Sequence, residues 1–184
     1  MKKIAILFSG TGTNFEYICK NMHKNDIEIV VALTNNPNAG GIEIAKKYNI
    51  PLELINSKNY KIREEFDKEV VKTLQNYNFD FVVLAGFMRI LTPYFTNNLK
   101  AINLHPSLLP RHKGLMAIER SYEDEHKDGG VSVHFVTSEL DGGEIILQKS
   151  VKKQGLTFDE YYNIIRTIEK EALKEAIIKI KDNI

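Results

Sequence analysis

Short, almost wholly apolar runs alternate with amphipathic segments through the first half of this 184-residue chain. The apolar runs lack the strict polar alternation of a half-exposed sheet, so they predict strands that helices cover on both faces. The predicted strands are 4–8, 28–33 and 81–84, and the predicted helices are 14–22, 41–48 and 62–77. Such alternation implies right-handed βαβ crossovers, so we predict a doubly wound α/β fold with a mostly parallel sheet flanked by helices.

The second half of the chain has a different pattern. We predict a helix over 115–125 and two neighbouring strands at 131–135 and 145–151. From Thr157 onward apolar residues recur at helical spacing, and Thr157 with Glu160 forms a capping-box pair, which predicts a long C-terminal helix. The length and the 43% hydrophobic content suit one substantial core, so we expect a single domain over the whole chain, 1–184.

Composition indicates the compartment in which the protein works and the classes of partner that it can bind. Lys and Arg total 25 against 24 Asp and Glu, a net charge of +1, which disfavours a nucleic-acid partner. The single cysteine, Cys19, cannot form an internal disulfide, and its helical spacing indicates a core residue. The apolar run near the amino terminus is too short for a signal peptide or a membrane span. We therefore expect a cytoplasmic protein without a membrane partner.

A glycine-rich turn, Ser-Gly-Thr-Gly-Thr-Asn at 9–14, follows the first predicted strand and leads into a helix. Thr13 and Glu16 predict a second capping box there. The unsatisfied N–H groups of a helix start suit a small phosphorylated ligand. Phe15 replaces the third glycine of the dinucleotide fingerprint, and the chain contains no nucleotide-binding Gly-x-x-x-x-Gly-Lys loop. An ordinary strand-to-helix turn remains the alternative.

The run Asn-Leu-His-Pro-Ser-Leu-Leu-Pro at 103–110 carries the most chemistry. The apolar run before it predicts a buried strand, so Asn103 and His105 lie near its carboxyl end on the same side of the pleat. Pro106 then forbids a regular continuation. An amide that donates to an oxyanion, next to an imidazole that stabilises the same charge, suits attack on a carbonyl carbon.

Asp141, in the sequence Leu-Asp-Gly-Gly, supplies a carboxylate that we expect to raise the pKa of the His105 imidazole. A plain turn is an equally good interpretation of this segment. A metal site made of His105, His134 and Asp141 is a third possibility, but the chain lacks tight ligand spacing, so we expect no metal. The polar surroundings of His112 predict that it is exposed to solvent.

The run Phe-Met-Arg-Ile-Leu at 87–91 follows a predicted strand through Ala-Gly. Apolar side chains and backbone polar groups at a sheet edge can form one wall of a slot for a flat heteroaromatic ligand. Core packing is the alternative interpretation.

Four segments together closely resemble the phosphoribosylglycinamide formyltransferase family, which is folate-dependent: 9–14, 85–91, 103–110 and 132–143. The resemblance spans nearly the whole chain. It implies transfer of the formyl group of 10-formyltetrahydrofolate to the amine of glycinamide ribonucleotide in purine biosynthesis, by direct attack through an oxyanion intermediate. It also implies that Asn103, His105 and Asp141 are the catalytic residues.

The same resemblance implies the binding residues. It assigns the substrate to Gly12, Thr13, Asn14, Arg166 and Glu169, and the folate to Arg63, Met88, Arg89, Ile90, Leu91 and Asn103. The implied partners are 10-formyltetrahydrofolate as co-substrate and glycinamide ribonucleotide, with no metal and no nucleic acid. We expect a monomer or a weak homodimer.

Some of these motifs are shared with methionyl-tRNA formyltransferase and formyltetrahydrofolate deformylase, which carry additional domains that 184 residues do not accommodate. A formyltransferase acting on another amine, such as an amino sugar nucleotide, and a non-catalytic phosphate- or folate-binding module remain as alternatives. Two positions depart from the family pattern: Ser138 replaces a usual acidic residue, and Gly129 replaces a common histidine.

Overall fold

The computed structural model describes residues 1–183, which contain seven strands and six α-helices. The strands are β1 (Lys2–Phe8), β2 (Ile27–Thr34), β3 (Leu52–Leu54), β4 (Phe81–Leu84), β5 (Ala101–His105), β6 (Asp128–Phe135) and β7 (Ile145–Lys152). The helices are α1 (Thr13–Met22), α2 (Gly41–Lys47), α3 (Arg63–Leu74), α4 (Pro93–Asn98), α5 (Ala117–Glu123) and α6 (Phe158–Lys181). The predicted α/β class, with mostly parallel strands and a long final helix, is confirmed. Strand β3 and helix α4 are additions that the sequence patterns did not predict.

The chain divides into two compact units, Met1–Asn103 and Leu104–Asn183. In the first unit the strands lie in the order β3-β2-β1-β4-β5, and every neighbouring pair is parallel. Strand β4 is completely buried and β1 is buried over its last five residues, 4–8, as their unbroken apolar runs require. The strand order reverses between β1 and β4, the place where open α/β sheets bind ligands at the carboxyl ends of their strands.

Helix α1 begins differently from the prediction. Its N-cap is Gly12, with φ 78°, and no side chain caps it, so the capping box predicted for Thr13 and Glu16 is wrong. The reason is a close approach between backbones. A Cβ on Gly12 would lie 2.7 Å from the Cα of Gly41, so only glycine fits where this turn meets α2.

The second unit consists of the antiparallel pair β6 and β7 with two helices. Helix α6 packs against both strands and against α5. The capping box predicted at its start is confirmed: Thr157 Oγ1 accepts from the Glu160 N–H, and the Glu160 carboxylate accepts from the Thr157 N–H. Across residues 1–183, no helix combines the length and the apolar character needed to cross a membrane.

One departure from the family pattern has a steric explanation within the second unit. A Cβ on Gly129 would lie 1.9 Å from the Tyr161 hydroxyl oxygen, so this ring fills the space that a side chain at position 129 needs. Ser138 is exposed, and nothing in the structure explains its replacement of an acidic residue.

Candidate active site

In the first unit, two loops leave the carboxyl ends of the neighbouring strands β1 and β4 and are tied together by Ser9. The Ser9 N–H donates to the Gly86 carbonyl at 2.9 Å, and the Ser9 hydroxyl oxygen accepts from the Met88 N–H at 2.8 Å. The hydroxyl also donates to the Asn35 side chain at 2.5 Å. The glycine-rich turn and the segment after β4 are therefore fixed relative to each other at the switch point of the sheet.

The glycine-rich turn carries an unsatisfied polar group. Asn14, in the first turn of α1, is only 7% exposed, and its side-chain oxygen lacks a hydrogen-bond partner among the described residues. A buried polar atom without a partner is costly, and this oxygen can only accept, so it marks a place for a water or for a hydroxyl or N–H group of a ligand. Gly12 and Thr13 precede it at the same helix start, where backbone N–H groups suit an anion.

The segment after β4 presents apolar side chains to solvent. Met88 is 73% exposed and Ile90 is also exposed, whereas Leu91 is buried. The Arg89 guanidinium lies 4.8 Å from the centroid of the Phe66 ring, a cation–π contact that stiffens the segment. This arrangement supports the predicted wall for a flat ligand. Arg63, the first residue of α3, is exposed.

Strand β5 carries the amide and the imidazole of the central motif. Asn103 is half-buried and lies opposite Leu84 in the β4–β5 register. His105 is the last residue of β5 and is 6% exposed. Its Nε2 lies 2.9 Å from the His112 carbonyl oxygen, which can only accept, so Nε2 carries a proton.

Asp141 lies within the second unit beside His105, so the predicted turn residue is also part of a side-chain cluster. Its backbone has φ 48°, a left-handed conformation. Oδ2 accepts from the Gly114 N–H at 2.8 Å and lies 3.4 Å from His105 Nδ1. Oδ1 lies 3.6 Å from Nε2 of His134, which is 2% exposed. His134 Nδ1 donates to the Phe135 carbonyl at 2.8 Å. One carboxylate therefore faces two buried imidazoles.

Burial and the neighbouring groups together shift the pKa values of His105 and Asp141. Burial lowers the pKa of His105, and the His112 carbonyl and the Asp141 carboxylate only partly offset it, while His134 and Arg120 lower it further. The carboxylate thus raises the pKa of His105 as predicted, but the net pKa lies below the ordinary value. Burial raises the pKa of Asp141, yet hydrogen bonds from His134 and Gly114 and the nearby His105 bring it below its ordinary value.

The prediction that His112 is exposed is wrong. Its ring Nε2 donates to Asp124 Oδ2 at 2.6 Å, and its side chain is mostly buried. Asp124 also accepts from Lys153 Nζ at 2.5 Å. Burial raises the pKa of Asp124, but the hydrogen bonds from Lys153 and His112 outweigh it and lower the pKa to about 2.

Arg166 and Glu169, the residues assigned to the ribonucleotide, pair with each other on one face of α6. Arg166 NH1 lies 2.8 Å from Glu169 Oε2, and the glutamate side chain is nearly fully buried. The buried carboxylate of Glu169 therefore fixes the direction of the Arg166 guanidinium.

A metal site and a catalytic thiol are two alternative chemistries for this chain. Within residues 1–183, no group of three or more His, Cys, Asp or Glu side chains is arranged to hold a metal ion. Cys19 is buried, and burial raises the pKa of its thiol to about 12, so it is a core residue rather than a nucleophile.

Comparison with known proteins identifies the family. A family model described as formyl transferase matches residues 2–177. The chain belongs to this family. Phosphoribosylglycinamide formyltransferase of Haemophilus influenzae is 38% identical over all of this chain and 92% of its own length. The Escherichia coli protein of the same name is 40% identical over 80% of this chain and 72% of its own length. The predicted resemblance and enzyme class are confirmed.

A solved structure gives the same result for the fold. The crystal structure of phosphoribosylglycinamide formyltransferase from Campylobacter jejuni is 48% identical to this chain and superimposes with a TM-score of 0.95, covering 97% of each chain. The family match, the sequence relatives and the superposition all extend over most of the chain, so the fold and the enzyme class rest on more than a local motif.

Sequence patterns did not predict the side-chain contacts that His134, Asp124 and Lys153 make in the second unit. His134 alternates with Val133 and Phe135 along β6, which is typical of a strand residue, and only its loose grouping with Asp141 as a possible metal ligand hinted at the contact. Asp124 and Lys153 lie in polar stretches without a recognisable motif. Their contacts depend on tertiary packing, which local spacing does not encode.

Proposed function

We propose that this chain transfers the formyl group of 10-formyltetrahydrofolate to the amine of glycinamide ribonucleotide. The observation that carries the proposal is the buried contact between Asp141 and His105, found in a chain whose family transfers formyl groups. The names of its relatives, including a human trifunctional purine biosynthetic protein, support an acceptor in purine biosynthesis. The polar start of α1 suits the phosphate of the ribonucleotide, and the exposed apolar segment after β4 suits the pteridine ring.

In the proposed reaction, the amine attacks the formyl carbon and negative charge develops on the formyl oxygen. Asn103 donates a hydrogen bond to that oxygen, and His105 stabilises the same charge from the end of β5. Burial lowers the pKa of His105 and so disfavours its charged form in the free protein. The developing negative charge favours the imidazolium, so this stabilisation grows towards the transition state, where it accelerates the reaction. His105 or a bound water then takes a proton from the attacking amine and passes it to the folate nitrogen as the bond between that nitrogen and the formyl carbon breaks.

The binding assignments belong to the same proposal. Gly12, Thr13, Asn14, Arg166 and Glu169 bind the ribonucleotide, and the folate contacts Asn103, Arg63 and the segment 88–91. The chemistry needs no metal, because the amide and the imidazole carry the charge stabilisation. We propose a cytoplasmic enzyme that works as a monomer or a weak homodimer.

One assay tests this function. Purified protein receives 10-formyltetrahydrofolate with glycinamide ribonucleotide, with an amino sugar nucleotide, or with no acceptor, while formyl transfer and formate release are measured in parallel. We expect transfer that depends on glycinamide ribonucleotide and little formate release without it. Transfer to the amino sugar nucleotide alone, or formate release that no acceptor changes, would show that the acceptor or the reaction class is wrong.

A further inference from the structure

The carbonyl group that holds His105 belongs to a residue with an unfavourable backbone conformation. His112 has φ 55°, in the left-handed region that side chains disfavour because Cβ crowds the following carbonyl oxygen. In this conformation its own carbonyl oxygen lies 2.9 Å from Nε2 of His105. Because the conformation is disfavoured locally, other contacts must hold His112 in place.

The side chain of His112 provides such a contact. Its Nε2 donates to Oδ2 of Asp124 at 2.6 Å, a short, charge-assisted hydrogen bond. Asp124 follows directly after α5 as its C-cap residue, and its carboxylate also accepts from the His126 N–H at 2.9 Å. The carboxylate therefore ties the His112 ring to the end of a helix.

Lys153 fixes the carboxylate in turn. The lysine is only 7% exposed, and its Nζ lies 2.5 Å from Oδ1 and 2.9 Å from the backbone carbonyl oxygen of Asp124. The same ammonium donates to the carbonyl groups of Ser121 and Tyr122, near the end of α5. A buried ammonium retains its partners because losing one leaves a charge poorly solvated, so Asp124 is not free to turn away from His112.

We propose that Asp124 is a positioning residue for His105, acting through the ring and then the backbone carbonyl of His112. The inference rests on the proposed function, in which His105 acts at the formyl carbon. With Nε2 held as a donor to the carbonyl, Nδ1 is the nitrogen that gains or loses a proton beside Asp141. Without that carbonyl, the Asp141 carboxylate is the stronger acceptor, and the proton of the neutral His105 ring moves to Nδ1.

The first part of the test observes His105 in the free protein by ¹⁵N NMR. It compares wild type with Asp124→Asn and His112→Ala. Alanine removes the ring that reaches Asp124 and still disfavours the left-handed backbone, whereas Asp124 keeps its pairing with Lys153, so His112→Ala remains informative if Asp124→Asn fails to fold. We expect the neutral His105 ring to change from the Nε2–H tautomer towards the Nδ1–H tautomer in both variants.

A matched control comes from Glu125, the exposed carboxylate next to Asp124 in the chain. Glu125→Gln removes a similar charge from the same region and should leave the His105 tautomer and turnover unchanged. This control separates the specific contact between Asp124 and His112 from a general loss of negative charge in this region.

The second part of the test measures formyl transfer. We expect kcat to fall about 10- to 100-fold in Asp124→Asn and His112→Ala, the usual effect of losing a partner that orients a site residue, while both KM values change little. The double variant should have a kcat no lower than that of the less active single variant, because both changes remove the same chain of contacts from Asp124 to His105.

The outcomes separate this inference from the proposed function. A wild-type tautomer in His112→Ala overturns the inference, and so does a fall in kcat with an unchanged His105 NMR pattern, since that indicates a purely structural role. A tautomer change in a protein that transfers no formyl group supports the positioning role of Asp124 and contradicts only the proposed function.

Discussion

Asp141 lies between two imidazole rings whose other nitrogens already donate to backbone carbonyl groups. Nε2 of His105 donates to His112, and Nδ1 of His134 donates to Phe135. In neutral rings, the nitrogens that face Asp141 carry lone pairs, which an ionised carboxylate repels. A proton on Nδ1 of His105 converts repulsion into attraction. At the residue scale, the carboxylate therefore favours the charged form of His105, and burial opposes it.

Replacing His105 tests its part in the reaction. His105→Asn should lower kcat by a factor of about 10²–10⁴, while substrate binding changes little, because the lost interaction stabilises charge present only in the transition state. Steady-state kinetics and calorimetric binding measure the two effects. His126→Asn, which changes an exposed ring, is the control. Wild-type turnover in His105→Asn would remove this residue from the mechanism.

Asp141 should be electrostatically coupled to His105. Its carboxylate raises the pKa of His105, although burial keeps the net pKa below the ordinary value. Asp141→Asn removes the opposing charge, so the pKa of His105 should fall further, as an NMR titration measures. Glu139→Gln changes an exposed carboxylate two residues away and should leave the titration unchanged. An unchanged pKa in Asp141→Asn would reduce Asp141 to a turn residue.

At the element scale, the sequence predicted best what local patterns encode. Long apolar or amphipathic runs predicted the inner strands and α6, and the Thr157 capping box proved correct. Helix α4 escaped prediction because its six residues depend on a distant partner: both the N–H and the hydroxyl of Thr92, its N-cap, donate to Asp67 of α3 at 2.7 Å. Strand β3 escaped because it contains only three residues.

In the candidate site, too, local sequence predicted some residues, whereas others depend on contacts with distant parts of the chain. Motif and resemblance predicted His105 and Asp141, and the structure brings them to 3.4 Å. The burial of His112 could not be predicted, because its ring is held by Asp124, twelve residues further along the chain. The turn at Thr13 was misjudged for a similar reason: the close packing of α1 on α2 decides its cap, and local sequence does not show that contact.

The start of α1 should control the affinity for the ribonucleotide. Asn14→Ala removes the buried side-chain oxygen and should raise KM for the ribonucleotide about tenfold, since a hydrogen bond from a donor group of the ribonucleotide is lost, while KM for the folate stays unchanged. Substitution of Gly12 is less informative because any Cβ would collide with Gly41. Asn21→Ala, at the other end of α1, is the matched control. Equal changes in both KM values would argue for misfolding or a wrong assignment.

The contact between Asp124 and Lys153 should make stability depend on pH. The pKa of Asp124 is about 2 in the folded chain and near its ordinary value when unfolded. Its depressed folded pKa contributes about 2 kcal/mol of stability above roughly pH 5, which is lost as the pH falls through about 4 to 2. Denaturant unfolding of wild type and Asp124→Asn should therefore converge at low pH. A difference that stays constant from neutral to acidic pH would contradict this prediction.

For the whole molecule, charge restricts the acceptor. The 25 basic and 24 acidic side chains nearly balance, so the chain lacks the strong basic excess that attracts a polynucleotide. Affinity for nucleic acids comes largely from many phosphate contacts and the counterions they release. A free ribonucleotide needs much less: the backbone N–H groups of one helix start can hold a single phosphate.

The protein should therefore formylate a free ribonucleotide and leave initiator tRNA unmodified. The experiment supplies 10-formyltetrahydrofolate with each acceptor at low salt and at about 200 mM salt, where contacts to many phosphates weaken steeply. Transfer to the ribonucleotide should change only modestly with salt, because few charges are involved. Efficient tRNA formylation that collapses as salt rises would reveal a polynucleotide-binding surface and contradict the charge argument. Efficient tRNA formylation at both salt concentrations would contradict it more strongly, because recognition would then not depend on phosphate contacts.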